Sequence, residues 1–228
     1  MGYKLQTMIQ ASTLAFLKNI ELNNNKIWFD ANRIAYEAAK KDFELFIEQV
    51  LQANTALIPE LAGRKAKDCI FRIFKDVRFS KDKVPYKNNF GAAFGKGDKK
   101  TMGAGYYVHL QADNHSFIGG GIWMPDALTL KAIRQEIDYC YDEFLNIVTA
   151  KEFKKIFGSL DTSQQLKKCP KEYTDDNPAL AYLKLKSFTV ATTMSDKTMM
   201  SKASVAQITE ACAVMKPLID FLNRAISQ

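Results

Sequence analysis

The spacing of apolar residues changes along this chain, and the change limits the folds that it can adopt. Apolar residues recur with the helical period over Ser12–Leu22 and Asp30–Ala53, then alternate with polar residues or glycine in the middle of the chain. Helical spacing returns over Asp126–Val148 and Lys202–Ala225. Long N-terminal, central and C-terminal helices around a block of strands predict an α+β fold with a mostly antiparallel sheet.

Four segments after residue 87 carry the strand pattern. We predict strands over Asn88–Phe94, Gly105–Gln111, Ser116–Trp123 and Ser187–Met194. The dipeptide Asp113-Asn114 suits a tight primed turn between the second and the third of them. The register that this turn predicts pairs Tyr106 with Gly121 and Val108 with Gly119, so that large side chains lie opposite glycine.

Two residues in the helical segments have a predicted local role. Asp30, beside Trp28, is predicted to cap the helix that it precedes, and a desolvated carboxylate there would have a raised pKa suited to acid–base work. Pro217 lies inside the C-terminal helix and is predicted to kink or divide it, because proline removes a backbone hydrogen bond.

Length and composition favour a single cytoplasmic domain over residues 1–228. A chain of 228 residues that is 47% hydrophobic can bury a sizeable core without disulfides. It has no apolar run of about 18 residues, so we expect no membrane span. The first residues lack the pattern of a signal peptide. Four scattered cysteines without a CxxC pair favour free thiols in a reducing cytoplasm.

The positive charge of the chain is concentrated in one segment. Arg64–Lys100 contains twelve Lys or Arg and four Asp, a balance of +8, whereas the whole chain has a net charge of +7. The rest of the chain is therefore nearly neutral. A local positive field attracts anions such as phosphates, nucleic acid, acidic lipid headgroups or an acidic protein.

The densest part of this segment is the basic block, defined as Arg72–Lys87. Alternation within Phe71–Phe79 predicts a strand with Phe71, Ile73, Val77 and Phe79 on one face and Arg72, Phe74, Asp76 and Arg78 on the other. Arginine presents a rigid fork of donors that suits carboxylate or phosphate. We therefore predict a small-anion site, for phosphate, phosphoester or carboxylate, against the Tyr106–Trp123 hairpin. Its predicted ligand-binding residues are Arg72, Asp76, Arg78, Ser80, Lys81, Lys83, Tyr86 and Lys87.

Two other interpretations of the basic block stay open. It could be a binding module for nucleic acid or an acidic protein, although the interleaved Asp76 and Asp82 weigh against a nucleic-acid groove. It could also be an internal ion-pair network that stabilises the fold without binding a ligand. The sequence does not assign a reaction.

Other motifs predict neither a metal nor a cofactor. The two histidines, His109 and His115, lack ligand-spaced Cys, Asp or Glu partners. The glycine run Gly119–Gly121 lacks phosphate-loop spacing and lies inside a predicted strand. A close approach of backbone to a side chain or ligand explains such glycines better.

Several stretches resemble the domain of unknown function 2461 family, which occurs in bacteria and fungi. They are NNNKIWFDANRIAYE, RIFKDVRFSKDKVPYKNNFGA, GAGYYVHLQ with FIGGGIWMPD, LTLKAIRQEI and LKKCPKEYTDDNPALAYLKLKS, in the family's order. The signature residues that match are Trp28, Phe29, Asp30, Arg72, Asp76, Arg78, Phe79, Ser80, Lys81, Asp82, Lys83, Pro85, Tyr86, Lys87 and Arg134. Glu172 departs from the pattern, because glycine is usual there. The resemblance implies one domain and no established activity, and its polar signature points to function, because packing alone asks for apolar residues.

Overall fold

The computed structural model describes residues 8–76, 84–97 and 103–227. Its α-helices are α1 (Ala11–Leu22), α2 (Lys26–Ala31), α3 (Arg33–Asn54), α4 (Ala66–Cys69), α5 (Ala127–Tyr139), α6 (Tyr141–Thr149), α7 (Lys151–Phe157), α8 (Leu180–Leu183), α9 (Asp196–Met199) and α10 (Ser204–Ala225), with a 3₁₀ turn at Pro59–Leu61. Its strands are β1 (Asn89–Phe94), β2 (Gly105–Gln111), β3 (Ser116–Ile122) and β4 (Phe188–Met194). These elements confirm the predicted α+β class.

The strands form one antiparallel sheet in the order β1-β2-β3-β4. Helices α3 and α10 pack on one face of it. Phe43 of α3 stacks on Phe90 of β1 at 5.5 Å between ring centroids, and a Cβ added at Gly120 of β3 would lie 2.8 Å from the sulfur of Met215 in α10. The opposite face, here called the open face, carries the residues that alternate with these. They are Asn89, Gly91 and Ala93 of β1, Tyr107, His109 and Gln111 of β2, Phe117, Gly119 and Gly121 of β3, and Thr189, Ala191 and Thr193 of β4.

Two of the predicted long helices are interrupted. Asn32 has φ −108° and ψ 22°, and it separates α2 from α3, so that Asp30 lies inside α2 and does not cap a helix. The cap of α2 is Asn25, whose side chain accepts a hydrogen bond from the backbone N–H of Trp28. Cys140 breaks the central helix in the same way, with φ −113° and ψ 40°. The helical period continues across both breaks, and it therefore does not reveal them.

The predicted hairpin exists, but its register is wrong by one residue. Asp113 and Asn114 have φ of 61° and 64°, as a primed turn requires. Tyr106 nevertheless pairs with Gly120, and Val108 with Ile118. The cause is Ser116, whose hydroxyl bonds both the backbone N–H and the backbone C=O of Gln111. The bonds to this side chain take the place of a backbone pair in the ladder, and the pairing of β2 with β3 is offset by one residue from the predicted one.

The predicted strand over Phe71–Phe79 is not a strand of the sheet in its described part, Phe71–Asp76. Instead, Ile70 and Phe74 form isolated bridges to Ala92 and Tyr86. Its remaining residues, Val77–Phe79, lie outside the described residues. The segment follows the edge of β1, where the backbone N–H of Phe71 donates to the carbonyl oxygen of Gly91 at 2.9 Å. At the other end of the chain α10 contains Pro217 without being divided by it.

Candidate functional site

A cavity of about 730 Å³ lies on the open face. Its described lining is Phe71, Ala93, Gly103, Gly105, Tyr106, Tyr107, Phe117, Gly119, Gly120, Gly121, Ile122, Trp123, Asp161, Thr189, Val190 and Ala191. Most of these residues belong to β2, β3 and β4. The cavity is therefore built on the most regular part of the molecule.

Glycines leave the floor of the cavity without side chains. A Cβ added at Gly121 would lie 1.9 Å from the carbonyl oxygen of Phe188, and one added at Gly119 would lie 2.7 Å from that of Val190. Gly121 also has φ +119°, which L-residues rarely adopt. The close approach of β4 to β3 therefore requires glycine at both positions. The neighbour is backbone and not the side chain or ligand that the sequence suggested, and the bare floor is a consequence.

Aromatic rings form the walls. The rings of Phe71 and Phe117 flank that of Tyr107, at 6.2 Å and 5.8 Å between centroids. Trp123 follows β3 directly and is 62% exposed. Rings of this kind offer a flat molecule apolar faces against which it can stack.

The polar groups of the open face form a row along β2. The hydroxyl of Tyr107 lies 3.3 Å from Nδ1 of His109, and Nε2 of His109 lies 2.9 Å from Oε1 of Gln111. Burial lowers the pKa of His109 and raises the pKa of Tyr107. At neutral pH the histidine is therefore neutral and the tyrosine keeps its proton.

Cations of the basic block lie next to one wall of the cavity. Nζ of Lys87 is 5.6 Å from the ring centroid of Phe71. Burial, followed by the positive charges of Arg72 and Lys75, lowers the pKa of Lys87. Within the part of the chain that the structure describes, neither Arg72 nor Lys87 uses its side chain in an ion pair. An anion here would relieve the repulsion among these cations.

The structure brings together only part of the predicted site. Arg72 is exposed and lines a second groove, of about 700 Å³, beside α3. Asp76 is exposed. Tyr86 is only 5% exposed, and its ring stacks on Phe29 at 4.1 Å, so the ring belongs to the core. Four further predicted ligand residues lie outside the described residues, namely Arg78, Ser80, Lys81 and Lys83.

Asp30 is not the desolvated carboxylate that the sequence suggested. It pairs with Lys26 and with Arg33 on the surface. A hydrogen bond from Lys26 is the main cause that lowers the pKa of this carboxyl, the opposite of the predicted direction. Asp30 is therefore not suited to act as a general acid.

Sequence reasoning placed the basic block against the hairpin but missed other residues of the cavity. Thr189 and Ala191 line it because β4 pairs with β3, a contact between distant parts of the chain. Phe71 and Trp123 were recognised only as parts of strands. The available signal was the run Gly119–Gly121, which indicated a close approach to a side chain or ligand.

Two structural features are absent from the described residues. Residues 8–76, 84–97 and 103–227 contain no group of three or more His, Cys, Asp or Glu side chains placed to hold a metal ion. In the same ranges, every helix is too short or too polar to cross a bilayer.

These features define a class: an α+β protein with helices packed on one face of its sheet and a ligand-sized cavity on the other. The chain belongs to the DUF2461 family, described as conserved hypothetical proteins, whose model matches residues 12–221. Comparison with curated proteins and with solved structures finds no match.

Proposed function

We propose that this protein binds a small acidic molecule with a flat apolar body in the cavity of the open face. The observation that carries the proposal is the combination of a bare glycine floor, aromatic walls and adjacent lysine and arginine cations. A volume of about 730 Å³ is within the range of small-molecule sites. The proposal assigns no reaction.

The apolar body fits the floor and the walls. With no side chains at Gly119 and Gly121, a planar ring can lie against the backbone of β3. The rings of Phe71, Tyr107 and Phe117 supply the lateral contacts. Burying a ring of this kind removes apolar surface from water, which is the main source of affinity for such ligands.

The acidic group fits the end of the cavity at Phe71. The ring of Phe71 lies 6.2 Å from that of Tyr107 and 5.6 Å from Nζ of Lys87, so an acid carried by a ligand against this ring comes within reach of Lys87. Arg72 and Lys75 add to the positive potential there. This arrangement supports the small-anion interpretation of the basic block at Lys87.

The apolar part of the proposal is tested with 2-naphthoate, a flat acid, in a calorimetric titration. Ala191 is exposed on the open face and lines the cavity, so Ala191→Leu fills it without entering the core. We expect this variant to lose binding. Thr193→Leu is the matched control, since it places the same side chain on the same strand and face, outside the lining. No binding to the wild-type protein, or equal binding to both variants, would refute the proposal.

The acidic part is tested by comparing 2-naphthoate with neutral 2-naphthamide. We expect the wild-type protein to prefer the acid, and Lys87→Gln to remove most of the preference. Lys151→Gln, an exposed lysine on α7, should keep it. The same titration of Arg78→Ala tests the prediction that Arg78 also contacts the ligand. Equal affinity of wild type for the two compounds would contradict the acidic part alone.

A further inference from the structure

Hydrogen bonding determines the protonated nitrogen of His109. Oε1 of Gln111 can only accept, so the nitrogen facing it at 2.9 Å, Nε2, carries the proton. Nδ1 is then an acceptor. It faces two donors, the hydroxyl of Tyr107 at 3.3 Å and Nδ2 of Asn89 at 3.4 Å. The contacts at both ring nitrogens therefore indicate the same tautomer, with the proton on Nε2.

The hydroxyl of Tyr107 is weakly held. Good hydrogen bonds of this kind are about 2.7–3.2 Å long, and the bond from Tyr107 to His109 is longer, at 3.3 Å. If the hydroxyl turns away, Asn89 still donates to Nδ1 of His109. That contact is also long, at 3.4 Å, so the two donors share Nδ1, and turning the hydroxyl away gives up one long hydrogen bond while Nδ1 keeps a donor.

The hydroxyl belongs to a tyrosine that lines the cavity beside Phe71, where the acid is expected. It sits over Gly91, where an added Cβ would be 2.3 Å from the hydroxyl oxygen. The carbonyl oxygen of Gly91 in turn accepts from the backbone N–H of Phe71, the ring beneath Lys87. The ring of Phe71 lies 6.2 Å from that of Tyr107 and 5.6 Å from Nζ of Lys87, so a ligand against Phe71 is near both residues.

We infer that Tyr107 is a specificity-determining residue that donates its hydroxyl proton to a carboxylate or carbonyl oxygen of the ligand, while Asn89 takes over the bond to His109. The inference rests on the proposed function and narrows the ligand to flat molecules that carry such an acceptor. Burial keeps Tyr107 protonated, so it acts as a donor at neutral pH.

Three probes with one ring system test the donor role: 2-naphthoate, 2-naphthamide and 2-methylnaphthalene, which has no acceptor. We expect Tyr107→Phe to weaken the first two by about tenfold, the loss of one hydrogen bond, and to leave the third unchanged. The control is Tyr139→Phe, which removes the hydroxyl from a tyrosine that is 81% exposed. If Tyr107→Phe weakens all three probes equally, or none, the inference is wrong.

A double-mutant cycle tests the exchange with Asn89. In Asn89→Ala, Tyr107 is the remaining donor to Nδ1 of His109, so a ligand must compete for it. We expect Asn89→Ala to weaken 2-naphthoate binding in the wild-type background and to have no effect in Tyr107→Phe. Additive effects would overturn the exchange. Failure of every probe to bind the wild type would instead overturn the proposed function.

Discussion

The backbone of Gly121 allows a quantitative test of how β3 and β4 form the cavity floor. Gly121 has φ +119°, and a Cβ added there lies 1.9 Å from the carbonyl oxygen of Phe188 and 2.8 Å from the Cα of Thr189. Atoms in ordinary contact are about 3.5–4.0 Å apart. Gly121→Ala therefore requires β4 to move away from β3 where Gly121 pairs with Thr189.

The expected cost has two parts. An alanine held at this φ costs about 1–3 kcal/mol. Opening the end of the ladder removes one or two backbone hydrogen bonds at about 1 kcal/mol each and displaces the buried ring of Phe188. The more restricted unfolded chain returns about 0.4–1 kcal/mol. We expect Gly121→Ala to lower the free energy of unfolding by about 3 kcal/mol or more.

Gly158 provides the matched control. It also has positive φ, +71°, but an added Cβ has nothing within 4 Å. Gly158→Ala therefore carries the same backbone cost of about 1–3 kcal/mol without the collision. Because the more restricted unfolded chain returns part of it, we expect a loss of about 1–2 kcal/mol. Urea unfolding followed by circular dichroism measures both. A difference of less than about 0.5 kcal/mol between the variants would refute the steric explanation of the bare floor.

Three further predictions concern other parts of the fold. Asp42 is buried and accepts from the hydroxyl of Thr13 at 2.6 Å, so Asp42→Ala should cost about 2 kcal/mol in urea unfolding, and an unchanged midpoint would contradict this. Tyr86→Leu should cost about 2–3 kcal/mol, because its ring stacks on Phe29, whereas Tyr86→Phe should cost under about 1 kcal/mol; equal losses would exclude a core role for the ring. Since burial lowers the pKa of His109 below 6.5, the unfolded chain takes up its proton first, and this residue should reduce stability as pH falls from about 6.5. His109→Gln should show a smaller loss between about pH 7.5 and pH 5 than wild type, and an identical loss would refute this.

Local sequence predicted the elements better than their ends and their pairing. The helical period located α1 and α10, and alternation located all four strands to within a residue. Asn32 and Cys140, which interrupt helices, lie in stretches whose apolar spacing continues across them. The hairpin register depended on the hydroxyl of Ser116, a single contact that the turn dipeptide does not encode.

The candidate site was predicted only in part, for a similar reason. Concentrated charge in the sequence identified Arg72 and Lys87 as cations of one region. Tyr86 lies between Pro85 and Lys87 in the same block, but its ring is buried and packs in the core against Phe29. Whether a polar or aromatic side chain faces solvent or core depends on the elements packed over it, which local sequence does not contain.

The sequence by itself determined the α+β class, the positions of the strands, the family resemblance and the concentration of positive charge around the basic block. Those properties depend on residue types and on spacing over a few turns or strands. The tertiary structure alone decided that β4 lies against β3, that its backbone excludes side chains at Gly119 and Gly121, and that Phe71 links the resulting cavity to Lys87. The reason is physical: a cavity exists only where segments distant in sequence meet, and its shape is set by their backbones.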